Sequence, residues 1–253
     1  MTAPTIRDPQ TGKVNNVGRR PPRGWVVEDP VAQGLEGDVD WSAWYLTDED
    51  DMGEGGEQFV IAQALWSALH VLARERGWRS FVGRDQFFGW VEAEPLVRVS
   101  PDVYLLDREP SRPLPGMWET WRPEHAPPRL AVEIVSDETW RKDYADNPAK
   151  YAQLGARELV IFDPWAVTSR RLPERTPLQV FHRAPDGAFL RAHAGPGPAR
   201  SEALDAWWTV VAEPAPMLRV SRDASGRDLV PTQEEALASA LAELVRLRGA
   251  PPA

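Results

Sequence analysis

Two acidic residues sit inside otherwise apolar, strand-forming stretches. Asp102 lies in Val99-Ser100-Pro101-Asp102-Val103-Tyr104-Leu105-Leu106, and Glu133 lies in Leu130-Ala131-Val132-Glu133-Ile134-Val135-Ser136. A carboxylate among buried β-branched side chains costs several kcal/mol unless it is paired or binds a metal. Two of them on adjacent strands make a small oxygen-rich pocket. Such a pocket suits Mg²⁺ or Mn²⁺, which take carboxylates, a backbone carbonyl and waters. Spacing alone leaves a second reading open, in which Asp102 starts its strand in a turn and Glu133 pairs with an arginine.

Other chemistries lack their residues. The chain has no Cys, which excludes thiolate nucleophiles, disulfides and Cys-based metal centres and makes a reducing cytoplasm the expected compartment. His70, His125, His182 and His193 show no ligand spacing, so a histidine zinc site is not expected. No glycine-rich dinucleotide fingerprint, phosphate-binding loop or Gly-x-Ser-x-Gly elbow occurs.

The elements that must position the two acids follow from periodicity. Phe59, Ala62, Leu65, Trp66, Leu69 and Leu72 recur at helical spacing, which predicts an amphipathic helix over about 57–76, stopped by Gly77. The period then shifts towards two. Strands are expected at 81–82, 87–91, 96–99, 103–106, 130–135 and 158–162, with a long Pro-rich loop over 108–128 and a helix ending near Gly155. Weaker strands at 178–182, 188–193 and 207–211 read as an antiparallel extension of the sheet. A terminal helix over 234–248 has Thr232 as its cap and Leu237, Leu241, Leu244 and Val245 on one face. This order predicts an α/β fold with a mixed sheet. Residues 1–40 read as a flexible Pro-, Gly- and charge-rich arm with Trp41 to Leu46 as its expected tether, 41–230 as the domain, and 231–253 as the C-terminal helix and tail.

The chain of 253 residues carries a formal charge of −9 and 12 Trp. A surplus of acid argues against non-specific coating of nucleic acid, yet is compatible with an enzyme that meets phosphates through a bound metal. No apolar run reaches the roughly 18 residues of a membrane span. The only lysines are Lys13, Lys142 and Lys150, and two of them follow Glu133 closely.

That following stretch is informative as an ordered set. Ser136-Asp137-Glu138-Thr139 precedes Asp143, Lys150, Tyr151 and Gly155, and then Arg157-Glu158-Leu159-Val160-Ile161-Phe162-Asp163-Pro164. Together with Pro101-Asp102, Glu133 and Ser136 it resembles the Uma2 family (DUF820), whose members look like PD-(D/E)xK restriction endonucleases. The loop with Trp118 and Trp121 and the segment from Leu218-Arg219 to Leu229 are similar too, so the resemblance covers about residues 45–245. Two positions depart from the pattern. Val135 stands where the wider nuclease superfamily has a lysine, and Asn147 stands where the family has its helical lysine, with Lys150 three residues on. Read locally, Asn147 before Pro148 is a good helix cap, giving a short helix over about 148–154 with Lys150 in its first turn. A cation there opposes the helix dipole, a modest hint of function.

The resemblance implies a restriction-endonuclease-like mixed sheet flanked by helices, with added antiparallel strands and a C-terminal helix. It implies metal-dependent phosphodiester hydrolysis with DNA as the substrate. Asp102, Glu133 and the Ile134 carbonyl would hold Mg²⁺ or Mn²⁺, and Glu57 on the first helix is a further metal candidate. Glu57 reads equally as a favourable charge at a helix N-terminus. Lys150 would be the catalytic cation, with Lys142 as its spare, and Tyr151 reads as a packing residue. Arginines of the arm or the 108–128 loop would contact DNA, and a homodimer is expected by analogy. The rival expectation is a non-catalytic interaction module on the same fold, with Asn147 marking a degenerate site.

Overall fold

The computed structural model describes residues 5–7, 14–16, 41, 44–47, 55–137, 140–169, 172, 174–185 and 189–249. Within the arm, β1 (Thr5–Arg7) pairs antiparallel with β2 (Val14–Asn16). The rest of residues 1–40 lies outside the described residues. Trp41 and Trp44, the expected tether, are buried in the core.

Helix α1 (Gly56–Glu75) is amphipathic as expected, with Ile61, Ala62, Leu65, Ala68, Leu69 and Leu72 on its buried face. It is followed by β3 (Phe81–Gly83), β4 (Phe87–Gly89), β5 (Arg98–Val99) and β6 (Val103–Leu106). Then come β7 (Met117–Glu119), β8 (Leu130–Ile134), α2 (Trp140–Ala145), α3 (Asn147–Leu154) and β9 (Glu158–Phe162). The chain continues through α4 (Pro164–Thr168), β10 (Leu178–Arg183), β11 (Phe189–Gly195), β12 (Ala199–Ser201), β13 (Ala206–Val211), β14 (Met217–Ser221) and α5 (Gln233–Gly249).

Six strands form the central sheet in the order β11-β10-β9-β8-β6-β3. Only the β8–β9 pair is parallel; the other four neighbouring pairs are antiparallel. The crossover from β8 to β9 runs through α2 and α3. Alternation splits the sheet's side chains between two cores. Val103, Leu105, Leu130, Val132, Val160 and Phe162 pack with α1 on one face. Tyr104, Ala131, Val135, Leu159 and Ile161 pack with Tyr151, Ala152 and Leu154 of α3 on the other. Asp102 and Glu133 share the parity of Tyr104 and Ala131, so both acids belong to the α3 face.

Two features depart from the expected order. The Pro-rich loop contains β7, which pairs parallel with β4; β4 in turn pairs antiparallel with β5, and the three strands form a separate sheet. Trp118 of β7 is buried there and donates to the Tyr104 hydroxyl at 3.1 Å and to Gln86 Oε1 at 3.0 Å. The Trp207–Val211 strand does not extend the central sheet. It is the middle of an antiparallel β12-β13-β14 sheet whose Trp208, Leu218 and Val220 join α1 in its core. That face needed an apolar cover beyond one helix, and Trp208 supplies it. No helix among the described residues is long and apolar enough to cross a membrane.

Gly83 is required by a close approach. A Cβ there would lie 2.2 Å from the Tyr104 ring, which is fixed by its hydroxyl bond to Gln86 Oε1 at 2.7 Å.

Candidate active site

The ladder between β6 and β8 ends at the Val103–Val132 pair. One residue further, Asp102 faces Glu133. With no strand partner left, the Ile134 N–H is taken by the Asp102 carboxylate, Oδ2 accepting at 2.5 Å. The backbone thus locks Asp102 against the end of β8. The Ile134 carbonyl accepts from Gln58 Nε2 at 2.7 Å.

Glu133 is held from the opposite side. Tyr151 donates its hydroxyl to Glu133 Oε1 at 2.7 Å, and Asn147 Nδ2 donates to the same oxygen at 3.2 Å. Asn147 Nδ2 also lies 3.2 Å from Asp143 Oδ1. Asp143, Asn147 and Tyr151 are spaced by four and so share one helix face. Backbone bonds from Asp146 N–H to Lys142 O and from Lys150 N–H to Asp146 O carry the helical pattern across the junction of α2 and α3. Asn147 is therefore inside the helical run rather than its cap. Asp146 occupies the cap position, without a side-chain capping bond. The Asn147 amide is instead drawn to two carboxylates. Gly155, left-handed at φ 96°, ends the run as expected.

Burial is the main force that pushes Glu133 well above the ordinary carboxylate range. The neighbouring charges of Asp102 and Asp143 add to it, against the Tyr151 hydrogen bond and the Lys142 charge. Lys150 is buried, with Nζ 5.9 Å from the Trp44 ring centroid. Burial, then repulsion from Lys142, lowers its pKa to about 8, against the attraction of Asp146, Glu133 and Asp143. Both lysines thus lie within electrostatic reach of Glu133.

The structure brings Asp102, Glu133, the Ile134 backbone, Asp143, Asn147 and Tyr151 together, with Lys142 and Lys150 beside them. Glu57 is exposed in the first turn of α1, where a negative charge complements the helix dipole. Its neighbour Gln58 faces the sheet, and its amide is used at both ends. Gln58 Oε1 accepts the Gly55 N–H at 3.0 Å while Nε2 reaches Ile134. A Gln three residues after the N-cap is one half of the capping-box signal, the half that a glycine cap still allows, and it marks the first-helix residue that an acid-centred search passes over. Tyr151 packs in the core as expected and also donates to Glu133.

The model of the Uma2 family, described as "Putative restriction endonuclease", matches residues 50–212. The chain belongs to the Uma2 family. Every group at the strand end lies within that match. Among solved structures, the chain is similar to a "putative nuclease belonging to DUF820" from Anabaena variabilis. The two are 11% identical with a TM-score of 0.39, over 60% of this chain and 75% of that one. No curated protein matches the chain.

The donor set of this Uma2 chain fits a hard divalent cation. Two carboxylates and a carbonyl oxygen meet at one strand end, and Mg²⁺ is commonly held by one or two carboxylates plus waters. Crowding of Asp102, Glu133 and Asp143 is of the kind a cation relieves. Among the described residues no three Asp, Glu or His side chains form a metal cage by themselves. The fit therefore depends on the backbone carbonyl and water as well.

Proposed function

We propose that this Uma2 chain is a divalent-metal-dependent nuclease that hydrolyses phosphodiester bonds of DNA. The observation that carries this reading is the meeting of Asp102, Glu133 and the Ile134 carbonyl at the ends of β6 and β8. Those three groups would hold Mg²⁺ or Mn²⁺. Such an ion lowers the pKa of a bound water and offsets charge on the phosphate.

The chain's own residues prepare that site. The Ile134 N–H holds Asp102 in place, and Gln58 holds the Ile134 carbonyl. Tyr151 and Asn147 both donate to Glu133 Oε1, which fixes the carboxylate's rotation. Lys150, with a pKa of about 8, is mostly a cation at neutral pH. It stabilises charge developing on the phosphate, a contribution that often dominates at such centres. Asn147 takes the place of a helical lysine and satisfies the acids without adding charge. Arg84 sits 5.1 Å over the exposed Phe59 ring and donates to Gln63 at 2.7 Å. It offers a cation on the same end of α1 as Gln58. On this reading the protein works in the cytoplasm, and cutting both strands of a duplex employs two copies of the chain.

The test is calorimetric titration of Mn²⁺ and Mg²⁺ into the parent, Asp102→Ala and Glu133→Ala, followed by nicking of supercoiled plasmid. Binding and cleavage are expected in the parent and neither in the variants, with circular dichroism unchanged. Parental cleavage by either variant would refute the assignment. A parent that binds no metal, with or without DNA, would favour an interaction module whose acids Asn147 has quieted.

A further inference from the structure

Among the described residues, helix α5 is anchored only at its start. Thr232 Oγ1 accepts the Glu235 N–H at 3.1 Å, and Glu235 Oε2 accepts the Thr232 N–H at 2.8 Å, a capping box. Ser67 of α1 accepts the Gln233 N–H at 2.8 Å and donates to Glu234 at 3.2 Å. Arg219 of β14 donates to Glu235 Oε2 at 2.6 Å. From Leu237 onward the helix stands in solvent. Leu237, Leu241, Leu244, Val245 and Leu247 are 50–72% exposed.

These residues form one stripe. Steps of four and three align Leu237, Leu241 and Leu244, with Val245 and Leu247 on either flank. A helix of 17 residues gains little stability in water without packing, so this stripe asks for a cover. The charges indicate which. Glu234 in the first turn and Arg248 in the last lie on the face of the stripe, whereas Glu235 and Arg246 lie on the opposite face and pair with Arg219 and Glu243. An antiparallel copy sets Glu234 of one helix against Arg248 of the other, twice, about a two-fold axis. A membrane surface fits poorly, because interfacial helices carry a basic polar face, whereas this one bears Glu235 and Glu243.

We propose that α5 docks a second copy of this chain, helix against antiparallel helix, with the two-fold axis near Leu241. Each copy then buries the same stripe, an isologous contact. The interface stands on the helix and not on the chemistry of the acid pocket.

The chain lacks cysteine, which makes a clean cross-linking test. In the full chain, Leu241→Cys is expected to oxidise to a covalent dimer on its own. Leu237→Cys and Leu244→Cys are expected to cross-link when mixed and not separately. Sedimentation velocity at micromolar concentration should show a dimer for the parent and a monomer for Leu241→Glu/Leu244→Glu. All these positions are exposed, so the variants are expected to fold, which circular dichroism would check. A monomeric parent, a dimer that survives the double substitution, or self-cross-linking at Leu237 and Leu244 would each overturn the proposal. Mn²⁺ titration of Leu241→Glu/Leu244→Glu reads the acid pocket separately. Failure of the interface and failure of the nuclease reading therefore give different results.

Discussion

Buried or half-buried acids occur at both ends of the parallel β8–β9 pair, and they are treated in opposite ways. Glu158, at the start of β9, accepts from Ser201 Oγ at 2.6 Å, Trp208 Nε1 at 3.0 Å and the Ala203 N–H at 3.0 Å. His182 Nε2 lies 3.3 Å away. Burial alone would raise its pKa, but these neighbours hold it below the ordinary value. Asp163, just past β9, receives Arg175 at 2.7 and 2.9 Å, the Tyr144 hydroxyl at 2.8 Å and the Ala166 N–H at 3.1 Å. Both carboxylates join the sheet to its surroundings, Glu158 to β12 and β13, Asp163 to α2, α4 and the chain before β10. Glu133 instead receives two neutral donors on one oxygen and faces two acids of its own sign. An acid enclosed by donors does structural work. On the proposed reading, an acid left against other acids is the one that holds a cation.

The sharpest way to break this comparison is to remove one acid of each kind. Glu133→Gln preserves the hydrogen-bond shape and should reduce metal-dependent cleavage by about 10³-fold or more, roughly 4 kcal/mol of barrier. Its melting temperature at pH 7 should equal or exceed the parent's, because a disfavoured charge is gone. Arg175→Ala should do the reverse. It leaves the buried Asp163 with two neutral donors but no cation, and breaking a buried pair in this way costs about 3–5 kcal/mol. Thermal denaturation should show a loss of many degrees, with metal affinity of the surviving folded fraction retained. If Glu133→Gln destabilised the fold as much as Arg175→Ala, the two kinds of acid would not differ as argued.

Much of this arrangement was legible because burying a charge is expensive. Asp102 and Glu133 stand out as acids in apolar strands, and the strand end brings them together. The long amphipathic α1, β6 and β8, and the Gly155 stop follow from local periodicity and turn chemistry. What was not legible depends on partners distant in the chain. Asn147 before Pro148 reads as a cap by local chemistry, but Glu133 and Asp143 compete for its amide and win. The strand expected at 207–211 reads as sheet extension because nothing local specifies which sheet it joins. Trp208 decides that by packing beneath α1. β7 hides in a Pro-rich stretch, since a three-residue strand has no measurable period. Gln58 carries no charge to draw attention, and its role exists only because the Ile134 carbonyl lies opposite.

Gln58 offers a smaller and more selective test. A residue that holds a ligand, rather than serving as one, typically changes metal affinity or activity by 10–100-fold when removed. Gln58→Ala should weaken Mn²⁺ binding within that range. Gln58→Glu retains an acceptor for the Gly55 N–H but loses the donor to Ile134, so it should resemble Gln58→Ala in metal binding while keeping the helix start. If both variants bound Mn²⁺ like the parent, Gln58 would be a capping residue alone, and its contact with Ile134 would be packing.

The smallest expected effect is on the pH dependence of stability, where the two kinds of acid have opposite signs. Glu158 is depressed below its ordinary 4.5, so its contribution is present above that value and is lost as pH falls through the folded value. His182 is raised above 6.5, first by the Glu158 carboxylate. Its contribution is present below 6.5 and is lost as pH rises through the folded value. The pair is therefore most stabilising between about 4.5 and 6.5. Glu133 is raised, so the folded state holds its proton more tightly than the unfolded state does. Its stabilising contribution is present below 4.5 and fades as pH rises through the raised value. Urea midpoints measured from pH 4 to 8 should separate the two. Glu133→Gln should flatten the decline on the alkaline side, whereas His182→Gln should remove the part of that decline due to the Glu158 pair. Because His182 is partly exposed, the latter change should be under about 1 kcal/mol after solvent screening. A Glu133→Gln profile parallel to the parent's would mean that Glu133 keeps an ordinary pKa in the fold, and the crowding of acids at the end of β8 would then be milder than the geometry implies.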